Sequence, residues 1–177
     1  MSNKALFLDR DGIINIDHGY VHQIQEFDFS PDIFTLLKLF TKHNYKLFIV
    51  TNQSGIERGY YTLQDFQILT EWMLERLRNE DIIIEAVEYC PHTPKVPCNC
   101  RKPMTGMVDK ILSRYDIDLS NSWLIGDKQS DINLAHNAAI AHTIAIGHRV
   151  IKESEYKFQT ITECKEFFEK NLYLLGE

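Results

Sequence analysis

Residues 4–12 read KALFLDRDG, an apolar run that ends abruptly in Asp9, Arg10, Asp11 and Gly12. Such a short run without alternation is typical of a strand that is buried on both faces. Similar apolar runs predict four more strands, at residues 45–50, 84–90, 122–125 and 142–146. In a parallel sheet all of these strands end at the same edge, so the acidic turn at Asp9–Asp11 would face the ends of its neighbours.

Helical patterns lie between the predicted strands. Apolar residues at i, i+3, i+4 and i+7 predict a helix that begins near residue 33, with Ser30 as its N-cap and Pro31 in its first turn. Thr62 and Asp65 have the spacing of a capping box and predict the start of a second helix. Further helices are predicted at 105–115, 130–139 and 161–172. The alternation indicates an α/β fold, a Rossmann-like three-layer sandwich with a mostly parallel central sheet, formed by one domain over residues 1–177.

Composition limits the classes of function. The chain has 177 residues and a formal net charge of −6, with no basic stripe, so we expect no binding to nucleic acid. No apolar run approaches the length of a membrane span, and the first residues do not form the core of a signal peptide. We therefore expect a cytoplasmic, monomeric protein without a membrane partner, acting on a small molecule.

The cysteines suggest a metal site. Three of the four lie between residues 90 and 100, in a proline-rich loop at 90–103 that has no apolar anchor. In a reducing compartment we expect no disulfide, and Cys90, His92, Cys98 and Cys100 form a four-ligand set of the kind that binds structural Zn²⁺. Free thiols are the alternative interpretation. Cys164 stands alone, and we expect it to serve packing.

Polar residues at the predicted strand ends indicate phosphoryl chemistry. Asp9, Asp11 and Asp127 would repel one another unless a cation joined them, and their oxygen ligands suit Mg²⁺. Asp9, nearest the strand, is the candidate nucleophile, and Asp11 could protonate a leaving oxygen and later activate water. Thr51 and Lys102 could hold the transferred phosphoryl group.

Together these motifs resemble the four motifs of the haloacid dehalogenase (HAD) superfamily of phosphatases. They are Asp9-x-Asp11-Gly12, Thr51, Lys102 and Gly126-Asp127-x-x-x-Asp131. The resemblance implies a fold of the capless HAD type, an aspartyl-phosphate intermediate on Asp9 and general acid/base catalysis by Asp11. It also implies that Mg²⁺ is held by the Asp9 carboxylate, the Asp11 backbone carbonyl and Asp127.

Three longer strings, at 17–22, 51–59 and 90–103, resemble more narrowly the heptose bisphosphate phosphatases within that superfamily. This resemblance implies a sugar phosphate substrate in lipopolysaccharide-type glycan synthesis. The implied substrate-binding residues are Asp17, His18, Gly19, Tyr20, Asn52, Gln53, Ser54, Arg101 and Lys128. The spacer at 93–97 is shorter than in the better-known members, which leaves the preferred anomer and the physiological substrate open.

Two other functions compete with this interpretation. Histidinol-phosphate phosphatases share the catalytic and zinc motifs and differ mainly in the specificity loops. A non-catalytic zinc-ribbon binding module would explain the cysteines, but it leaves Asp9, Asp11 and Asp127 without a role. The charged segment at 152–157 is expected to be a solvated turn.

Overall fold

The computed structural model describes residues 2–176, and its centre is a parallel sheet of six strands. The strands are β1 (Lys4–Leu8), β2 (Tyr45–Asn52), β3 (Ile84–Cys90), β4 (Trp123–Gly126), β5 (His142–Ile146) and β6 (Tyr156–Phe158). Their order in the sheet is β3-β2-β1-β4-β5-β6, and every neighbouring pair is parallel. The strand with the acidic turn, β1, therefore has neighbours on both sides, β2 and β4.

Helices connect the strands and cover both faces of the sheet. They are α1 (Ile33–Lys42), α2 (Leu63–Arg78), α3 (Gly106–Leu112), α4 (Gln129–Asn137) and α5 (Ile161–Lys170). Single 3₁₀ turns lie at Ile24–Glu26, Leu119–Asn121 and Leu172–Leu175. Within residues 2–176, no helix combines the length and the apolar character needed to cross a bilayer.

The alternating side chains of β1 divide the core into two apolar layers. Leu6 and Leu8 belong to a cluster with buried residues of α1, α2 and α5. Ala5 and Phe7 point to the other face and pack with buried residues of α3 and α4. Because both faces of the strand are fully buried from Ala5 to Leu8, these four residues are all apolar. The predicted three-layer sandwich is confirmed.

The two predicted helix starts have different outcomes. The capping box of α2 is confirmed, since the Asp65 amide donates to Thr62 Oγ1 (3.1 Å) and the Thr62 amide donates to Asp65 Oδ2 (2.8 Å). The prediction that Ser30 caps α1 is wrong. The N-cap is Asp32, which has a left-handed backbone (φ 62°) and makes no side-chain capping bond. This conformation turns the chain between Ser30 and the helix.

Strand β6 corrects the predicted solvated turn at 152–157. Residues Tyr156–Phe158 pair in parallel with β5. The half-buried rings of Tyr156 and Phe158 pack on Phe167 of α5, with centroid distances of 5.1 and 5.2 Å. Burial of these rings stabilises an edge strand of only three residues, too short for its alternation to stand out among the surrounding charges.

Candidate active site

The carboxyl ends of β1, β2 and β4 and the loop after β3 surround a cavity of about 380 Å³. Most of the predicted site residues line it: Asp9, Asp11, Asp17, Gly19, Tyr20, Asn52, Gln53, Ser54, Arg101, Lys102 and Lys128. Thr51 is buried behind the wall, and Asp127 lines a neighbouring cavity of about 460 Å³. His18 points away, with Nε2 2.8 Å from Asp28 Oδ2. The parallel topology thus gathers residues that are far apart in sequence.

Lys102 is the electrostatic centre of this edge. Its buried Nζ lies 2.8 Å from Asp9 Oδ1 and 2.6 Å from Asp131 Oδ1, and it donates to the Val50 carbonyl at 3.0 Å. Burial alone would lower the pKa of Lys102, but the carboxylates of Asp131 and Asp9 raise it above its usual value. Lys102 therefore remains charged at any physiological pH.

The nucleophile candidate Asp9 is held in a fixed orientation. Its Oδ1 accepts from Lys102 Nζ and from the Arg10 amide (2.9 Å). Burial raises the pKa of the Asp9 carboxyl, and Lys102 opposes this shift. Within residues 2–176, the side-chain hydrogen bonds of Asp9 all go to Oδ1, which leaves Oδ2 available to another group.

Asp127 has the features expected of a cation ligand. Its Oδ1 is buried and has no hydrogen-bond partner among the described residues, while Oδ2 is in contact with Arg149 Nη1. Burial, followed by the nearby charge of Asp9, raises the pKa of Asp127 to about 7. Asp131 fixes the strand end, because its Oδ2 accepts from the amides of Asp127 (3.1 Å) and Lys128 (3.0 Å).

Gly12 explains how the two acidic strand ends approach so closely. Its backbone has a φ of +89°, and a Cβ atom at this position would lie 2.7 Å from the Asp127 carboxyl carbon. Any larger residue would be strained in the turn and would also push Asp127 away from Asp9. The small residue after Asp11 is therefore a geometric requirement of the site.

The acidic cluster fits Mg²⁺. Carboxylate oxygens of Asp9, Asp127 and Asp131 lie within 4.8 Å of one another. Both oxygens of Asp131 are already engaged by protein donors, whereas Asp9 Oδ2 and Asp127 Oδ1 are not. A cation with oxygen ligands would satisfy the orphaned Asp127 oxygen and offset the repulsion that raises its pKa.

Asp11 is surrounded by nitrogen donors. Arg10 Nη2 contacts Oδ1 at 2.9 Å and Oδ2 at 3.1 Å. Asn15 Nδ2 donates to Oδ1 (3.1 Å), and Gln53 Nε2 donates to Oδ2 (3.0 Å). Since its side-chain oxygens are occupied in this way, Asp11 would contact a metal through its backbone carbonyl, as the HAD resemblance implies.

The end of β2 carries the next group of residues. The strand is two residues longer than predicted and includes Thr51 and Asn52. Asn52 Oδ1 accepts from the Lys102 amide (3.0 Å) and so ties β2 to the loop that carries the lysine. Gln53 is buried, and its Nε2 also donates to Thr51 Oγ1 (2.8 Å).

The loop after β3 brings Cys90, His92, Cys98 and Cys100 together, with one ligand atom from each within 4.8 Å of the others. His92 Nδ1 lies 3.6 Å from Cys90 Sγ and 3.3 Å from Cys100 Sγ. Cys90 Sγ and Cys100 Sγ lie 2.50 Å apart, so the ligand atoms of the loop converge on one point. The four side chains form the closed set that a structural metal requires. Cys164 is buried in the core, as expected.

This loop places two cations beside the cavity. Arg101 Nη1 donates to the His92 carbonyl (3.0 Å), so its orientation depends directly on the Cys/His cluster. Lys102 follows immediately and reaches Asp9. On the opposite side, Lys128 Nζ lies 3.8 Å from Asp17 Oδ2.

Several residues of the site were missed in the sequence. Arg58, Tyr61 and Ser130 line the cavity, and Arg149 contacts Asp127. Arg58 belongs to a string that matches the family, but its spacing gives no indication of a role. Arg149 lies after β5, the one strand end at which the sequence showed no cluster of polar motifs, so only the fold reveals its contact.

Comparisons with known proteins agree with this geometry. Residues 99–157 match the HAD-hydrolase-like family model. The chain is 44% identical over 172 residues to the D-glycero-alpha-D-manno-heptose-1,7-bisphosphate 7-phosphatase of Campylobacter jejuni, covering 96% of this chain and 98% of the relative. It is 43% identical to the D-glycero-beta-D-manno-heptose-1,7-bisphosphate 7-phosphatase of Helicobacter pylori, covering 95% of each.

A solved structure is similar over the whole fold. It is the D,D-heptose 1,7-bisphosphate phosphatase from B. bronchiseptica complexed with magnesium and phosphate. The TM-score is 0.82 at 25% identity, with 95% of this chain and 99% of that chain covered.

The fold, the acidic turn at Asp9–Asp11 and the buried Lys102 together define a hydrolase of the HAD type. Within that class, the extent of the similarity to the curated relatives is decisive. The chain belongs to the family of D-glycero-D-manno-heptose 1,7-bisphosphate 7-phosphatases.

Proposed function

We propose that this chain hydrolyses the 7-phosphate of D-glycero-D-manno-heptose 1,7-bisphosphate through an aspartyl-phosphate on Asp9. The observation that carries the proposal is the contact of Asp9 with the buried Lys102, beside Asp11, in a cavity lined by further cations. Relatives that are 43–44% identical over nearly the whole chain bear this activity in their names. The product would supply the synthesis of nucleotide-activated heptose for lipopolysaccharide.

The first half of the reaction uses both aspartates of the β1 turn. A carboxylate oxygen of Asp9 attacks the phosphorus, and the bond from phosphorus to the 7-oxygen of the sugar breaks. Asp11 gives a proton to that departing oxygen, and heptose 1-phosphate leaves. The charge of Lys102 lies next to Asp9, where it stabilises the negative charge on the phosphoryl oxygens.

The second half returns both groups to their starting state. Asp11 now takes a proton from a water molecule, whose oxygen attacks the phosphorus of the aspartyl-phosphate. The bond between phosphorus and the Asp9 oxygen breaks, and inorganic phosphate is released. Thr51 Oγ1 accepts from Gln53, so its own hydroxyl proton is free to be donated to a phosphoryl oxygen.

Asp9, Asp127 and the Asp11 carbonyl would hold Mg²⁺. The bound ion supplies positive charge to the phosphoryl group and to the acidic cluster. The orphaned, buried oxygen of Asp127 supports this assignment. Arg149 contacts Asp127 in the structure and offsets part of the same negative charge.

Zn²⁺ would be held by Cys90, His92, Cys98 and Cys100, and its role would be structural. Four ligands leave no position for a catalytic water. Its effect on the reaction would be indirect, because the bond from Arg101 to the His92 carbonyl links the cluster to the cavity.

The substrate would lie in the cavity with its sugar between the loop at 17–20 and the strand end at 52–54. Polar side chains of Asp17, Asn52 and Ser54 line these two walls. Arg101 and Lys128 face the cavity from opposite sides and are placed to bind the phosphate that does not react. His18 could join this site only if it left Asp28.

We further propose that residues 1–177 form one capless phosphatase domain that acts as a cytoplasmic monomer, without nucleic acid or membrane partners. One six-stranded sheet accounts for all the strands in the described part of the chain, residues 2–176, which supports the domain assignment. The formal charge of −6 argues against polyanionic partners.

The experiment that tests the function is a phosphate-release screen with Mg²⁺ over both anomers of the heptose bisphosphate, histidinol phosphate and common sugar monophosphates. Both anomers are needed because the names of the relatives divide between alpha and beta. We expect the highest kcat/KM for one of the two heptose bisphosphates. A preference for histidinol phosphate would contradict the proposal and assign the chain to the rival activity.

A further inference from the structure

Gln53 lines the cavity, but its amide nitrogen and oxygen are hydrogen-bonded to other side chains of the protein. Its Nε2 donates to Asp11 Oδ2 (3.0 Å) and to Thr51 Oγ1 (2.8 Å). Its Oε1 accepts from the Tyr61 hydroxyl at 2.5 Å. An amide has two N–H donors, and both are used, so little of the side chain remains for a substrate.

Tyr61 sets the orientation of this amide. The Asp11 carboxylate can only accept, so the amide nitrogen of Gln53 faces Asp11 and the amide oxygen faces Tyr61. The Tyr61 hydroxyl donates to that oxygen and holds the amide in this orientation, and burial, which raises the pKa of Tyr61 to about 12, keeps the hydroxyl protonated. The ring itself is fixed, since it stacks on His22 with a centroid distance of 5.1 Å. A Cβ atom at Gly55 would lie only 2.1 Å from the ring, so the glycine makes room for it.

The contacts of Asp11 differ in where they come from. Arg10 and Asn15 belong to the same turn as Asp11 and move with it. Gln53 comes from the end of β2, next to Thr51, and is therefore the contact that fixes Asp11 relative to the neighbouring strand. A proton donor must be aligned with the leaving oxygen while the phosphoryl group is held by another strand, so this contact bears on catalysis.

We propose that Tyr61 and Gln53 are positioning residues that hold the Asp11 carboxyl in register with the phosphoryl site for protonation of the leaving group. The inference rests on the proposed function of Asp11 as general acid. It assigns Gln53 to the acid/base machinery and away from direct recognition of the sugar.

The test uses the dependence on the leaving group. A sugar oxygen needs a proton as it departs, whereas p-nitrophenolate leaves without one. The value of kcat/KM covers the steps up to departure of the leaving group, so it isolates the acid step. We compare heptose 1,7-bisphosphate with p-nitrophenyl phosphate for the wild type, Tyr61→Phe and Gln53→Met. The matched control is Tyr60→Phe, the same change at the neighbouring, exposed tyrosine.

Tyr61→Phe should lower kcat/KM about tenfold for the sugar phosphate, a part of the 10²–10⁴-fold that a general acid contributes, and leave the aryl phosphate nearly unchanged. Gln53→Met should act in the same direction and more strongly, and Tyr60→Phe should change neither value. In an Asp11→Asn background, Tyr61→Phe should have no further effect. Equal losses on both substrates, or a full additional loss in that background, would overturn the inference.

A failure of the proposed function would give a result that differs from a failure of the positioning role. It would appear as a wild-type enzyme that hydrolyses p-nitrophenyl phosphate but not the heptose bisphosphate. The values of kcat/KM would then be compared between p-nitrophenyl phosphate and an alkyl phosphate that the enzyme does hydrolyse. A loss on the alkyl phosphate alone would support the positioning role of Tyr61 and Gln53, and equal losses on both substrates would overturn it.

Discussion

Replacement of Lys102 by Met should show how much the buried cation contributes to the stability of the folded protein. Methionine keeps most of the length of the side chain but removes the charge that lies 2.8 Å from Asp9 and 2.6 Å from Asp131. All three groups are buried, so the change leaves two carboxylates without their cation. Removing one partner of such a buried ionic group costs about 3–5 kcal/mol. For a domain of this size the loss corresponds to a fall in Tm of about 6–20 °C.

The effect should depend on pH in a definite direction. Burial already raises the pKa of Asp9, and Lys102 holds this shift down. Without the lysine the folded-state pKa of Asp9 rises further above its unfolded value, so the folded protein binds a proton that the unfolded chain releases. Stability therefore falls as pH rises, and the deficit of Lys102→Met should be larger at pH 8 than at pH 5.5.

The assay is urea unfolding of the metal-free protein at both pH values, with Lys128→Met as the matched control. Lys128 faces the same cavity, but its side chain is 45% exposed and its contact with Asp17 is 3.8 Å long. Its loss should cost no more than about 1 kcal/mol. The reasoning is refuted if the two variants are equally stable at pH 8, or if Lys102→Met loses more stability at pH 5.5.

Three further predictions follow from the metal sites and the cavity. Because the pKa of metal-free Asp127 is raised to about 7, protons should compete with Mg²⁺, and its affinity by calorimetry should fall as pH is lowered from 8 to 6; an affinity that is constant over this range contradicts the assignment. Elemental analysis of reduced protein, purified without chelator, should find about one Zn²⁺ per chain, and Cys98→Ser should lose it. Absence of zinc from the wild-type protein would contradict the assignment of Cys90, His92, Cys98 and Cys100 as metal ligands. Arg101→Ala should lower kcat/KM for the bisphosphate by a factor equivalent to about 1.5–3 kcal/mol and lower it less for a sugar monophosphate, whereas Lys102→Ala should slow both alike; equal losses for Arg101→Ala would remove its role at the second phosphate.

The sequence predicted most of the fold because the fold follows from patterns that are local. The apolar runs of β1 and β5 were found at their observed bounds, and the capping box of Thr62 was found at its residue. Local patterns failed where a contact between distant segments decides the structure. Strand β6 is stabilised by rings packed on α5. The N-cap of α1 is Asp32 instead of Ser30, and Asp32 Oδ2 accepts a hydrogen bond from Thr162 Oγ1 of α5 (2.7 Å).

In the active site, too, the residues that follow from strand order were predicted, and the contacts that depend on loop conformation were not. Asp9, Asp11 and Lys102 were predicted because parallel strands end at one edge, and any polar residue that follows a strand is brought there. The partners of these residues were not predictable in this way. Tyr61 lies beyond the turn that follows β2, and Arg149 lies after β5, so their contacts with Gln53 and Asp127 depend on loop conformations that no spacing encodes.

The central claim is that Asp9 takes the phosphoryl group from the 7-position of the sugar. The direct measurement is ³¹P NMR of heptose 1,7-bisphosphate during turnover by the wild type and by Asp9→Asn, whose amide keeps the shape but loses the nucleophilic charge. We expect the wild type to convert the 7-phosphate signal into inorganic phosphate while the 1-phosphate signal remains, and the variant to leave both signals unchanged. Loss of the 1-phosphate first, or turnover by Asp9→Asn at a rate near that of the wild type, would contradict the account.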